Sequence, residues 1–554
     1  MKYYLTTLLI YLSIISFSQS RKGQFKLEHK AKSHTMYICF TEQIQTDSDI
    51  NLISKNSKLS NFINENNIQL LNSLENNISK LYKQQKNQIN SVKKLSRIYK
   101  VNVENSSNTN LLILAKELEN FTEVEYVSLI SNTPIEPPRI LKTFTEETPN
   151  LESFQNYLLQ DPGIDVKYAW SIGITGQNIN IKDIEYGYKP THEMIINNNK
   201  ISPEPNISIN PILLDTSSEY NSWLDHGTSV TSILMSKKDN IGIEGTTHNA
   251  NEFVAYFEWT AESYDRIEAV TRALNNSKAG DVVLYEMQTG GQNDEYVLAE
   301  YDNVIWDLTK ADTGIIVVAA AGNGSQNLDN NFYKPYMARG NSGAIVVGAG
   351  SSNTDHSILY FSTYGSRVDL QGWGNNVLSA GYGDWKKYNN DPNRTYTLFS
   401  GTSSATPIVS SAIVLVQSYY FSKTGKYLTP LEMKNLLVET GTPQNGLKIE
   451  NKIGPLPNIK KAIEKLNLTL KINETDLKPF EIKVYPNPAS QFIQISSNLS
   501  DTVNYELFNM TGQLLKKGTT TNNTKIDISY LTKGIYLIKA IENDKITIEK
   551  LIIK

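Results

Sequence analysis

Five short apolar runs rich in β-branched residues, INIKD, FVAYF, DVVLYEM, GIIVVAAAG and AIVVGAG, follow one another from about residue 160 and alternate with stretches of helical spacing such as AESYDRIEAVTRALNN and VLAEYDNVIWDLTKAD. Runs that are apolar at nearly every position fit strands covered on both faces, and the intervening helices supply the covers. The pattern predicts an α/β unit with a parallel sheet and helices on both faces. In such sheets functional residues gather at the carboxyl ends of the strands.

The 554 residues exceed one ordinary hydrophobic core. At the front, residues 1–18 place Lys2 ahead of an apolar stretch and the small residues Ser16 and Ser18, the pattern of a secretory signal peptide cut near Ser18 or Ser20. That stretch is shorter than the ~20 apolar residues of a membrane span, so no transmembrane anchor is expected. Residues 19–145 read as a small α+β unit: β-rich TMYICF and RIYKVNV, an amphipathic helix over 58–82, a second helix LLILAKELENF and the strand VEYVSLI. The proline-rich SNTPIEPPRI closes it, and residues 131–160 read as an exposed linker. The central α/β unit covers 150–467. After a polar stretch near 468–480, short strands split by turn residues predict an all-β sandwich over 480–554. A single cysteine, Cys39, leaves no intramolecular disulfide, and a net charge of -4 gives no electrostatic case for nucleic-acid binding.

Four residues of the central unit could carry chemistry. Asp183 ends the INIKD run, although a strand-ending Asp is usually a turn former. His226 stands in LDHGTSVTSIL at a Gly-Thr helix start, where a lone His is more often simply packed. Asn323 follows IIVVAAAG, where an Asn-Gly turn is the plainer reading. Ser403 stands in FSGTSSATPIV, where Gly401 permits a tight backbone and Pro407 falls one turn into a helix. A serine there meets free N–H groups at the positive helix end, which can hold an oxyanion if a base activates the hydroxyl.

The motifs DHGTSVTSI, AAAGNG and GTSSATPIV, in that order, resemble the His, oxyanion-Asn and Ser motifs of the subtilisin-like serine proteases, the subtilase or S8 peptidase family. The resemblance runs from about residue 160 to 465 and includes FSTYGSRVDLQGWG. It implies an endopeptidase in which Asp183 orients His226, His226 activates Ser403, and Asn323 with the Ser403 N–H holds the oxyanion. Ser404 is the rival nucleophile. The family usually shows Asp-Thr-Gly or Asp-Ser-Gly, whereas Asp183 is followed by Ile-Glu-Tyr-Gly, with Glu185 the close acidic competitor. YEMQTGGQN stands where relatives carry a Ser-Leu-Gly-Gly substrate strand, which assigns Gly290 and Gly291 to substrate binding.

By the same resemblance the first unit looks like a propeptide that inhibits its own enzyme. The end, from VYPNPAS to GIYLIKA, resembles a type A C-terminal sorting domain of the type IX secretion system. The expectation is a secreted or cell-surface zymogen acting on protein or peptide substrates and exported by that machinery. It uses no catalytic cofactor or catalytic metal; structural calcium fits the family, with no ligand set placed here. The alternatives are an inactive subtilase fold used as a surface binding protein, and an adhesin.

Overall fold

The computed structural model describes residues 21–27, 31–41, 58–74, 94–103, 107–134, 148–311, 313–477, 481–497, 502–522, 524–542 and 545–554. The signal-peptide reading and most of the linker reading lie outside them. Two compact units divide at Lys465 and Leu466.

The first unit opens with an antiparallel sheet of β1 (His34–Phe40), β2 (Ile68–Ser73), β3 (Ile98–Val103) and β4 (Val124–Ser131), in the order β2-β3-β1-β4. Met36, Ile38 and Phe40 pack with Leu59 of α1 (Lys58–Glu65) and Leu111 and Leu118 of α2 (Asn108–Leu118). Tyr37 and Cys39 point the other way, into the apolar cluster of the central sheet and its helices. Burial on both faces explains why TMYICF is apolar throughout. The helix predicted over 58–82 is corrected: it stops at Glu65, Asn67 turns the chain at φ +50°, and Ile68–Ser73 is a strand registered against β3. Asn tolerates this left-handed turn, and beyond it alternate residues, with Ile68 and Leu70 buried, replace helical spacing. Residues 75–82 lie outside the described set.

The central sheet is parallel and seven-stranded: β5 (Asn180–Glu185), β6 (Ile201–Pro203), β7 (Glu252–Phe257), β8 (Val282–Tyr285), β11 (Ile316–Ala320), β12 (Ile345–Gly350) and β13 (Leu370–Trp373), in the order β13-β12-β11-β8-β5-β7-β6. Two short strands, β9 (Gln288–Gly290) and β10 (Tyr296–Leu298), pair antiparallel beside it. The second helical stretch is thereby shortened, because VLAEYDNVIWDLTKAD begins as β10, takes one 3-10 turn at Ala299–Tyr301 and, among its described residues, is α-helical over Asn303–Thr309.

On one face of the sheet lie α3 (Leu224–Met235) and the long α6 (Thr402–Thr424); on the other, α4 (Arg266–Asn275) and α5 (Asn303–Thr309). Val270 and Leu274 of α4 and Ile305 and Leu308 of α5 share one core with Tyr37, Cys39, Ile98 and Tyr126, so the N-terminal sheet docks on these two helices. Charged pairs frame the contact. Lys100 meets Asp265 at 2.7 Å, and buried Asp307 takes Arg21 at 2.9 Å, Lys94 at 3.4 Å and the Tyr126 hydroxyl at 2.8 Å.

The second unit carries β14 (Ile482–Tyr485), β15 (Phe492–Ser497) and β18 (Ile526–Asp527) in one antiparallel sheet. β17 (Leu514–Thr521), β16 (Thr502–Asn509), β19 (Gly534–Glu542) and β20 (Lys545–Ile553) form a second. Ile493, Ile495, Leu507, Ile538 and Leu551 lie in their common core, as expected of a sandwich. The stretch read as a polar boundary from 468 is helical to Leu477.

Candidate active site

The site is built on glycine-permitted close approaches. β5 ends at Glu185, and the chain turns at Gly187 with φ +129°, where a Cβ would strike the Ile209 side chain at 2.4 Å. Against that turn packs α3, whose third residue is His226. A Cβ on Gly227 would lie 2.1 Å from the Gly187 carbonyl oxygen, so only glycine lets the helix come this close. The result is a buried hydrogen bond: His226 Nδ1 donates to Glu185 Oε1 at 2.5 Å. Glu185 Oε2 accepts the Tyr186 N–H at 3.2 Å. Holding the proton on Nδ1 leaves Nε2 as the basic nitrogen. The Phe399 ring meets the imidazole edge-on at 5.3 Å.

Four residues after Phe399, Ser403 takes the second position of α6. Gly401, at φ +107°, starts the helix. The Thr402 N–H donates to Asn323 Oδ1 at 2.8 Å, which anchors Asn323 to the helix start and turns its Nδ2 away. That Nδ2 donates to Gln288 Oε1 at 3.3 Å, as does the Asn323 backbone N–H at 3.2 Å. Ser404, fully buried, donates to the carbonyls of Trp373 at 2.9 Å and Gly401 at 3.0 Å. Those bonds commit its hydroxyl to the backbone.

Gly290 closes β9 opposite Tyr296. The Gly291 N–H donates to the Glu295 carbonyl at 2.6 Å, and Lys26, from the segment ahead of β1, donates to the Gly291 carbonyl at 2.5 Å. The strand that the sequence assigned to substrate therefore has a backbone acceptor engaged by the N-terminal segment.

The expected pairing of Asp183 with His226 is corrected. His226 bonds to Glu185, two residues further along β5; two residues of strand are about 6.6 Å. Among the described residues neither oxygen of fully buried Asp183 finds a hydrogen-bond partner. Burial, then the charges of Glu185 and Glu258, push its carboxyl well above the usual carboxylate range. The carboxyl oxygens of Glu286, just past β8, are equally removed from solvent and lack a hydrogen bond of normal length among the described residues. Burial, Asp183 and Glu185 raise Glu286 strongly, while the Ser403 hydroxyl pulls it the other way. Sequence reasoning missed Glu286 and Gln288. The signal for Glu185 was there in acid-x-Gly spacing: Glu185-Tyr186-Gly187 matches the family's Asp-Thr-Gly, and Asp183-Ile184-Glu185 does not.

A raised native pKa sets the sign of a stability effect. Above about pH 4 an unfolded Asp183 releases its proton while the native one keeps it, so Asp183 costs stability as pH rises. Asp183→Asn is expected to raise the melting temperature, with a gap over wild type that widens by up to about 1.4 kcal/mol per pH unit until native Asp183 ionises. Thermal melts of both proteins from about pH 5 to 8 check this; a constant gap would show that Asp183 is ionised in the fold.

Residues 170–455 match the subtilase family, and residues 483–554 match the secretion system C-terminal sorting domain. The first match spans more than half of the sequence, and the chain belongs to the subtilase family. The sorting domain is of the type IX kind and directs the chain to the cell surface or the extracellular space. Among the described residues no helix is long and apolar enough to cross a membrane. The minor extracellular protease Epr of Bacillus subtilis is 26% identical over 329 residues, covering 59% of this chain but only 45% of Epr. The major intracellular serine protease of the same organism is 26% identical over 275 residues, covering 50% of this chain and 79% of that protein. Among solved structures, fervidolysin from Fervidobacterium pennivorans is similar over 93% of this chain and 72% of its own, at 14% identity and a TM-score of 0.49.

Proposed function

We propose that the chain is a secreted serine endopeptidase, made as a zymogen, with Glu185, His226 and Ser403 as its triad and Asn323 as an oxyanion donor. The observation that carries this reading is the buried Glu185–His226 hydrogen bond on α3, which packs against α6, the helix whose second residue is Ser403. His226 Nε2 takes the Ser403 proton as Oγ attacks the scissile carbonyl, and Glu185 stabilises the imidazolium that forms. Asn323 Nδ2 leaves Gln288 and, with the Ser403 N–H, binds the oxyanion. The imidazolium then protonates the leaving amine, and water repeats the cycle on the acyl-enzyme. The chemistry runs on side chains and backbone alone.

An extended substrate pairs with the backbone of Gly290 and Gly291. The N-terminal unit serves as inhibitor: it covers α4 and α5 and places Lys26 on the Gly291 carbonyl. Removing buried Asp307 takes the carboxylate from Arg21 and from the Tyr126 hydroxyl, while Lys94 keeps Glu125 at 2.8 Å, so Asp307→Ala is expected to weaken docking of the cleaved N-terminal unit by about 2 kcal/mol or more. That is on the order of a 30-fold rise in dissociation constant. Titration calorimetry checks it, and unchanged affinity would place the contact outside the docking energy.

The matured chain incubated with an unfolded protein is expected to yield internal fragments, and the Ser403→Ala chain none. Intact substrate that stays bound to both would make the fold a binding module.

A further inference from the structure

Residues 21–27 run ahead of β1 outside any helix or strand, and their side chains divide between two bodies. Toward the subtilase unit, Arg21 Nη1 donates to both oxygens of buried Asp307 at 2.9 and 3.1 Å, and the guanidinium lies 4.9 Å from the centre of the Trp306 ring. The Gln24 side-chain oxygen accepts Arg339 Nη2 at 2.7 Å. Lys26 donates to the Gly291 carbonyl at 2.5 Å, with Asp294 3.8 Å away. Toward the N-terminal unit, Lys22 donates to the carbonyls of Glu119 and Phe121 at 2.7 and 2.8 Å, just past the end of α2. The Gly23 N–H donates to Glu119 Oε2, while Oε1 of the same carboxylate accepts the Val127 N–H of β4 at 2.8 Å. Phe25 and Leu27 pack on the core between that sheet and its helices. The two sets interleave along the segment, so it fastens one body to the other.

We propose that residues 21–27 are a staple that keeps the N-terminal unit seated on the subtilase unit after the linker is cut, so that cutting the linker and losing the inhibitor are separate steps. The inference rests on the reading of the N-terminal unit as inhibitor. A segment without ladder hydrogen bonds loses backbone freedom that only its side-chain contacts offset, and charged donors on buried acceptors are the strong ones among these. Cutting within residues 131–160 removes the covalent tie and touches none of them. Because the segment is joined to a sheet that is itself docked, its contacts form as intramolecular ones and lengthen the life of the cut complex. Lys26 places one of them on the backbone of the strand assigned to substrate, so a staple still in place keeps that acceptor occupied.

The test follows release of the N-terminal unit from the full chain once the linker is cut. A recognition sequence for a site-specific protease, inserted within residues 131–160 of the Ser403→Ala chain, makes the cut independent of the chain's own chemistry, and native mass spectrometry reads the fraction still joined. Arg21→Gln combined with Lys26→Met should speed release by about 30-fold or more, because a hydrogen-bonded charge pair on buried Asp307 is lost. Lys26→Met alone should speed it by about threefold to tenfold. Lys116→Met removes an exposed charge of α2 outside the staple and should release like the parent. Equal release from parent and double variant, no release from either, or the same acceleration in Lys116→Met would overturn the inference. If the double variant does not fold, Lys26→Met decides. Peptide hydrolysis by the chain that keeps Ser403 is read alongside. Release that never brings hydrolysis overturns the peptidase reading and leaves the staple standing, and hydrolysis that begins before the unit leaves shows that the unit is no inhibitor and overturns the inference.

Discussion

Ser403→Ala is expected to abolish peptide hydrolysis, with a loss of roughly 10⁴-fold or more. The neighbouring hydroxyls are committed elsewhere: Ser404 donates to the Trp373 and Gly401 carbonyls, and Thr402 donates to Asn323. Ser404→Ala should accordingly keep much of the activity. The same change should stop maturation, because a propeptide whose end lies in the cleft is cut first by the enzyme it inhibits. Mass spectrometry of purified Ser403→Ala should find the N-terminal unit still attached, whereas wild type should begin within residues 131–160. A fully active wild type that begins at residues 19–21 would show that the first unit is no propeptide.

Glu185→Gln carries the second large effect. An amide in place of the carboxylate can turn its N–H₂ toward His226, which puts the imidazole proton on the wrong nitrogen and withdraws the charge that stabilises the imidazolium. The expected loss is about 10⁴-fold in kcat with KM little changed, because substrate binding does not involve this pair. Asp183→Asn should leave turnover at neutral pH far closer to wild type. Steady-state kinetics of the two variants side by side check this, and a crippled Asp183→Asn beside a working Glu185→Gln would return the orienting role to Asp183.

The sheet was legible because strands covered on both faces must be apolar at nearly every position, and FVAYF, GIIVVAAAG and AIVVGAG carry that requirement openly. The glycine beside each of His226 and Ser403 was legible, but only Gly401 marks a helix start; α3 begins at Leu224, and Gly227 lies inside it. The carboxylate that bonds to His226 was misplaced by one strand period. Asp183 and Glu185 share a face of β5, and only the close packing of Gly227 on Gly187 decides that the imidazole reaches the later one. Glu286 was out of reach of sequence reasoning for a different reason. Its place near Asp183 and Glu185 comes from the neighbouring of β5 and β8, about a hundred residues apart. The helix extended over 58–82 failed locally: Asn67 tolerates the left-handed turn that converts helical spacing into strand alternation.

The most direct test of the central claim is to label the matured chain with a fluorophosphonate and map the adduct by peptide mass spectrometry. A single adduct on Ser403, its formation suppressed by Glu185→Gln, is the predicted result. An adduct on Ser404, or none on a chain that still folds and sheds its N-terminal unit, would contradict it.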